Sequence, residues 1–181
     1  AGIFHPHHFT ASATNACGTF SYSGQPFGLT ITAVNASGST TTNYSGSGTV
    51  SAASPLYPNG VTLSEQSGAA GTLANSTIAA SSFTAGVATI SASSTSPKFT
   101  YTSKETSNST IILRATDSDP VSGAATSSGY DATLALRSGR LKLFNAFGSE
   151  KSNLIVNAQI QYWNGRTWIL NNADTCTTSI P

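Results

Sequence analysis

Apolar and polar residues alternate along much of this chain with a period of two. In Phe27-Gly28-Leu29-Thr30-Ile31-Thr32-Ala33-Val34, the residues Phe27, Leu29, Ile31 and Ala33 fall on one side, with Gly28, Thr30 and Thr32 on the other. Successive side chains of a strand point to opposite faces, so this alternation predicts a half-buried β-strand. Shorter runs of the same kind are Thr49-Val50-Ser51, Gly60-Val61-Thr62-Leu63, Gly86-Val87-Ala88-Thr89-Ile90 and Thr110-Ile111-Ile112-Leu113-Arg114. Turn-forming residues lie between them: Asn35 to Gly38, Pro58-Asn59-Gly60, Ala85-Gly86 and Ser96-Pro97. Short strands every roughly 10–20 residues, separated by Gly, Asn and Pro, are the pattern of an antiparallel sandwich. No long stretch has helical spacing. Residues 67–80 carry the weakest pattern and read as a long loop or a single helical turn.

Residues 117–129 are poor in large apolar side chains and read as a connector. Beyond them Leu134, Leu136, Leu141, Leu143 and Phe144 raise the apolar density again. The strongest local signal is the run from Ile155 to Trp163, then Asn164-Gly165, then Arg166-Thr167-Trp168-Ile169-Leu170. Asn-Gly between apolar runs predicts a hairpin with a two-residue type I′ turn, because both residues tolerate positive φ. The expected fold is therefore all-β. An antiparallel immunoglobulin-like β-sandwich over residues 1–116 is followed by a connector (117–129) and a second, smaller, hairpin-rich β-module (130–181). Trp163 and Trp168 flank the predicted turn. They read either as packing residues or, with Tyr162, as an exposed aromatic platform for a ligand.

Composition narrows the picture. Only 8% of the 181 residues are charged, against about 25% in an average soluble domain. Their place is taken by 29 Ser and 26 Thr. The eight basic residues are scattered, and the net charge is +1. Nucleic-acid binding needs a basic stripe to displace phosphate counterions, so no nucleic-acid partner is expected. No run of 18 apolar residues is present, so no membrane-spanning helix is expected. There is no leader-like start and no Met, from which we expect the numbering to begin inside a longer or processed chain. The two cysteines, Cys17 and Cys176, lack the close spacing of a zinc or redox pair. They read as two separate buried thiols or, our preferred reading, as a disulfide joining the ends in an oxidising compartment.

Several motifs together resemble a known family. Phe4-His5-Pro6-His7-His8-Phe9, the stretch from Ala16-Cys17-Gly18 to Gln25-Pro26-Phe27, and Thr41-Thr42-Asn43-Tyr44 are similar to the C-terminal region of the MSHA-pilus biogenesis protein Q family. So are Gly139-Arg140-Leu141, Asn145 to Glu150, Gln161 to Gly165 and Asn172 to Thr177. The resemblance is strong at both ends and thin between about residues 45 and 110. It implies a large secreted or bacterial surface chain associated with a type IV pilus, structural or adhesive in role. It also implies that Cys17 and Cys176 are kept as a pair. It carries no catalytic residues.

The titratable residues offer few chemical candidates. His5, His7 and His8 lie within eight residues of the start and are candidates for a metal, but no carboxylate or cysteine is near them in sequence. A catalytic triad needs a histidine held in a pocket, and no nucleophile elbow exists. The carboxylates Glu65, Glu105, Asp131, Glu150 and Asp174 are isolated in sequence, with nothing pairing them for glycoside hydrolysis. Asp117 and Asp119 begin like a calcium loop without its remaining ligands. We therefore expect no enzyme activity and no cofactor. Three function classes follow: a structural or adhesive segment of a pilus-associated surface protein, a fibre subunit using residues 1–10 for strand addition, and a carbohydrate-binding module using Tyr162, Trp163 and Trp168. The expected partners are neighbouring domains or subunits of a surface filament, or a glycan or surface receptor.

Overall fold

The computed structural model describes residues 6–46, 60–105, 109–117 and 129–177. Its strands are β1 (His8–Thr14), β2 (Ser21–Tyr22), β3 (Gly28–Val34), β4 (Val61–Glu65), β5 (Gly71–Ala74), β6 (Thr77–Ile78) and β7 (Phe83–Thr84). They continue with β8 (Val87–Ile90), β9 (Lys98–Tyr101), β10 (Ser109–Thr116), β11 (Ala132–Arg137), β12 (Gly139–Leu143), β13 (Ala158–Trp163) and β14 (Trp168–Leu170). One 3-10 turn, Ala80–Ser82, is the helical element among the described residues. The all-β expectation holds.

Two sheets form the sandwich. The first has the order β1-β3-β8-β7 and is antiparallel throughout. The second has the order β2-β11-β10-β4-β6; its pairs are antiparallel except β2 against β11. The alternation in β3 does what its pattern predicts. Leu29, Ile31 and Ala33 are buried, and their cross-strand partners Ala13, Ala11 and Phe9 lie on the same face. The facing sheet contributes Ala132, Leu134 and Leu136 from β11, Ile111, Leu113 and Ala115 from β10, and Val61 and Leu63 from β4. Phe27, Phe83 and Phe99 are fully or almost fully buried between these layers. Burying such a ring stabilises the fold by about 1.5–3 kcal/mol each.

Where the pattern was weak, the structure adds strands. Residues 67–80 contain β5, which pairs with β9, and β6, which pairs with β4. Glu65, at the end of β4, organises the loop between β4 and β5. Its carboxylate accepts the N–H groups of Ser67, Gly68 and Ala69 and the Ser67 hydroxyl.

The first unit also reaches further than expected. Ala132–Arg137, assigned from the sequence to the second module, pairs along β10 with Ile111 opposite Leu134, so it belongs to the sandwich. The apolar-poor stretch before it joins two neighbouring strands of one sheet, which is why it reads like a boundary. Residues 118–128 of that connector, and the run at residues 49–51, lie outside the described residues.

After Ser138 the chain leaves the sandwich and builds a three-stranded antiparallel sheet, β12-β13-β14. Its hairpin differs from the predicted two-residue turn. Trp163 pairs with Trp168, so four residues form the loop, and Gly165 alone among them has a positive φ, at 92°. Asn164 closes the loop with its side chain, its Oδ1 accepting from the Arg166 and Thr167 N–H groups at 3.0 and 2.8 Å.

Candidate functional site: the cysteine clasp and the open sheet

The two cysteines are joined, with their Cα atoms 4.9 Å apart across a separation of 159 residues. Cys17 is buried in the sandwich's first turn, so the disulfide fixes the end of the second unit to the start of the first. Gln25 lies beside it. Its Oε1 accepts the Tyr22 N–H at 2.9 Å, and its Nε2 faces Cys176 Sγ at 3.6 Å.

A polar network continues from the disulfide. The Tyr22 hydroxyl donates to Asp174 Oδ2 at 2.8 Å and accepts from Asn171 Nδ2 at 2.5 Å. Asn171 Oδ1 in turn accepts from Arg137 at 2.9 Å. The Arg137 guanidinium lies 4.1 Å above the Phe20 ring and 4.8 Å from that of Tyr162, touching both units. Burial, then the hydrogen bond to Asp174, push the Tyr22 hydroxyl far above its ordinary value, so it stays a donor. Burial alone would raise the Asp174 carboxyl. The N–H of Thr177, the Tyr22 and Thr177 hydroxyls and the N–H of Cys176 outweigh that effect and hold it below the ordinary range. Gly139, the first residue of β12, lies against the Tyr22 ring so closely that any Cβ would collide with it.

The sheet β12-β13-β14 has two unlike faces. One carries Gly139, Leu141 and Leu143, with Tyr162, Ile160 and Ala158 opposite them and Ile169 beyond Tyr162. The other carries Arg140 and Lys142 opposite Gln161 and Gln159, with Trp163 and Trp168 at the hairpin end. Around Gly139 both faces meet the sandwich. Further along β12, Leu141 and Leu143 are 48% and 59% exposed. Phe147, Leu154, Ile155 and Val156, in the segment between β12 and β13, are exposed as well.

The aromatic residues singled out in the sequence are thereby placed. Trp163 and Trp168 are half-buried and meet edge to face at 5.5 Å. Lys104 Nζ, from the segment after β9, lies 4.3 Å from the Trp163 ring, and Arg140 lies 4.5 Å from that of Trp168. A sugar-stacking platform needs open ring faces, and here the chain's own cations lie over both indoles. Beside them a cleft of about 490 Å³ is lined by Ser23, Thr102, Ser103, Lys104, Ser138 and Trp168, among others. Tyr162 lies on the opposite face, beneath Arg137.

The metal candidates come together only in part. His7 and His8 meet through their Nδ1 atoms at 3.0 Å. His8 is buried and stacks on Tyr130 with ring centroids 3.8 Å apart, which removes it from solvent. Burial, then neighbouring His7, lower the His8 pKa. His5 and Asp119 lie outside the described residues, and Asp117 follows β10, half-buried. The group Cys17, Asp174 and Cys176 has ligand-like proximity, but its sulfurs are bonded to each other and offer no thiolate. The half of the 1–10 segment that is described is engaged at home: His8, Phe9 and Thr10 pair with Val34, Ala33 and Thr32. No helix among the described residues is long and apolar enough to cross a membrane. Sequence reasoning did not single out Tyr22, Gln25 or Asn171: Tyr22 and Gln25 stand inside the Ala16–Phe27 stretch with no chemistry of their own to mark them, and residues distant in sequence bring the three together.

Fold and clasp define a class of protein: a disulfide-fastened pair of β-units, a sandwich carrying a small open sheet. Two family models match the chain and divide it the same way. DUF6701, third domain, covers residues 1–138, and DUF6701, fourth domain, covers residues 137–180. The chain belongs to the DUF6701 family. Neither the curated proteins nor the solved structures with which it was compared include a match.

Proposed function

We propose that this chain is a non-enzymatic structural segment of an exported bacterial surface protein, associated with a type IV pilus of the mannose-sensitive haemagglutinin kind. In this reading the sandwich is a rigid base and the second unit is its contact surface. One observation carries it. Of the eight large hydrophobic residues exposed among the described residues, seven (Leu141, Leu143, Phe147, Leu154, Ile155, Val156 and Leu170) belong to the second unit. Soluble monomers seldom display apolar side chains so concentrated, and such patches mark surfaces that meet something else. Support for an exported setting comes from the disulfide, which persists where the medium is oxidising. The motifs at both chain ends, similar to the pilus-associated family, supply the bacterial surface context. An adhesive role toward a glycan or another receptor is the natural extension of the same surface. Immunogold labelling of intact cells of the source bacterium with an antibody against this chain tests the reading. Label on the outer surface or along pili is expected; label confined to the cytoplasm of sectioned cells overturns it.

A further inference from the structure

Strand β12, at the edge of the second unit's sheet, is a docking candidate with its own chemistry. Ser138 C=O accepts from Trp163 N–H, and Phe144 N–H donates to Asn157 C=O. Backbone groups of the even-numbered residues between them therefore face β13, as the register requires. Those of Leu141 and Leu143 face outward, on a strand whose five residues are all exposed. Leucines occupy one face and Arg140 and Lys142 the other. Among the described residues neither cation is paired with a carboxylate. Arg140 donates to Gln161 and lies over Trp168, and Lys142 lies over Phe144.

A second copy of β12 is a poor occupant. Antiparallel pairings that set Leu141 opposite Leu141 or Leu143 of the other copy also set Arg140 or Lys142 opposite a cation, and in a parallel pair the outward odd-numbered residues lie opposite even-numbered ones, which breaks the leucine face. Like charges directly opposite destabilise a pair. Shifting by one residue moves every leucine beside a cation. The cations thus guard the edge against self-pairing. The same two charges would favour a strand of opposite sign. Charge across the second unit points the same way: residues 139–180 hold Arg140, Lys142, Lys151 and Arg166 against Glu150 and Asp174, a net +2.

We propose that β12 accepts an extended acidic strand from a partner protein, one in which apolar and carboxylate residues alternate. Its backbone pairs with the outward groups of Leu141 and Leu143, its apolar side chains continue the leucine face, and its carboxylates meet Arg140 and Lys142. This deepens the proposed contact role of the second unit and rests on it.

The test is fluorescence anisotropy on the intact, oxidised chain with three labelled nine-residue peptides. One alternates Val and Glu, one alternates Val and Lys, and one holds the Val and Glu residues in two blocks. The alternating acidic peptide should bind at least about tenfold more tightly than either control, and more weakly as salt rises. In the double variant Arg140→Glu, Lys142→Glu, whose side chains are exposed, the preference should invert toward the Val-Lys peptide. Leu141→Pro, which removes an outward N–H, should weaken the acidic peptide about tenfold or more with Arg140 and Lys142 intact. Equal affinity for the alternating and block peptides, no binding of any peptide, or an unchanged preference in the double variant overturns the proposal. Cell-surface labelling is independent of all these outcomes, so a failure here is distinguishable from a failure of the structural role.

Discussion

Two carboxylates in this chain are held by more donors than a surface acid normally finds. Asp174 accepts two backbone N–H groups and two hydroxyls, and Glu65 accepts three backbone N–H groups and one hydroxyl. For both, burial raises the pKa, but the donors outweigh it and leave the folded value lowered. A lowered folded pKa stabilises the native state above the unfolded value, and that stabilisation is lost as pH falls through the folded one. The melting temperature should therefore be steady near neutrality and decline as pH drops through about 4 and below. Asp174→Asn, which cannot titrate, should remove part of that decline in a pH series of thermal melts. Tyr22→Phe keeps the ring against Gly139 but leaves Asn171 and Asp174 each short of a partner. Urea unfolding should report a loss of about 1–3 kcal/mol.

Among the elements, β1 and β12 show how pairing decides what a strand is for. β1 carries Phe9 into the sandwich core, in edge-to-face contact with Tyr44 at 5.3 Å, and is hydrogen-bonded along its length to β3. Deleting residues 1–9 should lower the melting temperature by several degrees without changing the oligomeric state in size-exclusion chromatography. A shift to smaller assemblies would instead assign the segment an intermolecular role. β12 depends on a single small residue at its start. Gly139→Val should displace the new sheet from Tyr22, and amide exchange of β12 and β13 should accelerate while that of β3 and β10 does not. Strand legibility follows length and burial. The seven residues of β3 give three full alternations on a buried face, enough to be read directly. β5 and β6, with four and two residues and mostly half-exposed or exposed side chains, give none.

For the whole molecule, the sandwich owns a closed core and the second unit does not. Most of the large buried hydrophobic side chains belong to residues 9–136, whereas the sheet β12-β13-β14 buries little beyond what Tyr22, Arg137 and Lys104 cover. Its attachment rests on the polar clasp and the disulfide, which closes a loop long enough to stabilise by about 5 kcal/mol in the chain-entropy picture. Intact mass under alkylation should show no free thiol until the protein is reduced. After reduction, or in Cys17→Ser, exchange protection should fall first in residues 139–170 and last in β3, β10 and β11. Simultaneous loss everywhere would mean that the two units share one cooperative core.

The sequence by itself determined the periodicity, and with it the all-β class, the core face of β3 and the strands β4, β8 and β10. These properties follow from neighbours in the chain, where alternation reports directly on which side of a strand meets the core. Composition determined the low charge, and two lone cysteines made a bridge between the ends the preferred reading. Tertiary structure alone decided that Ala132–Arg137 belongs to the sandwich, because an apolar-poor connection between paired strands has the same composition as a linker between domains. It alone brought Tyr22 beside Asn171 and Asp174, and Lys104 and Arg140 over the tryptophans. Each of those contacts joins residues well separated in the chain, and no local pattern encodes such a pairing. It also decided that Leu141 and Leu143, apolar alternation no different from that of β3, face outward: whether an apolar face is covered depends on the layer packed over it, not on the strand that carries it.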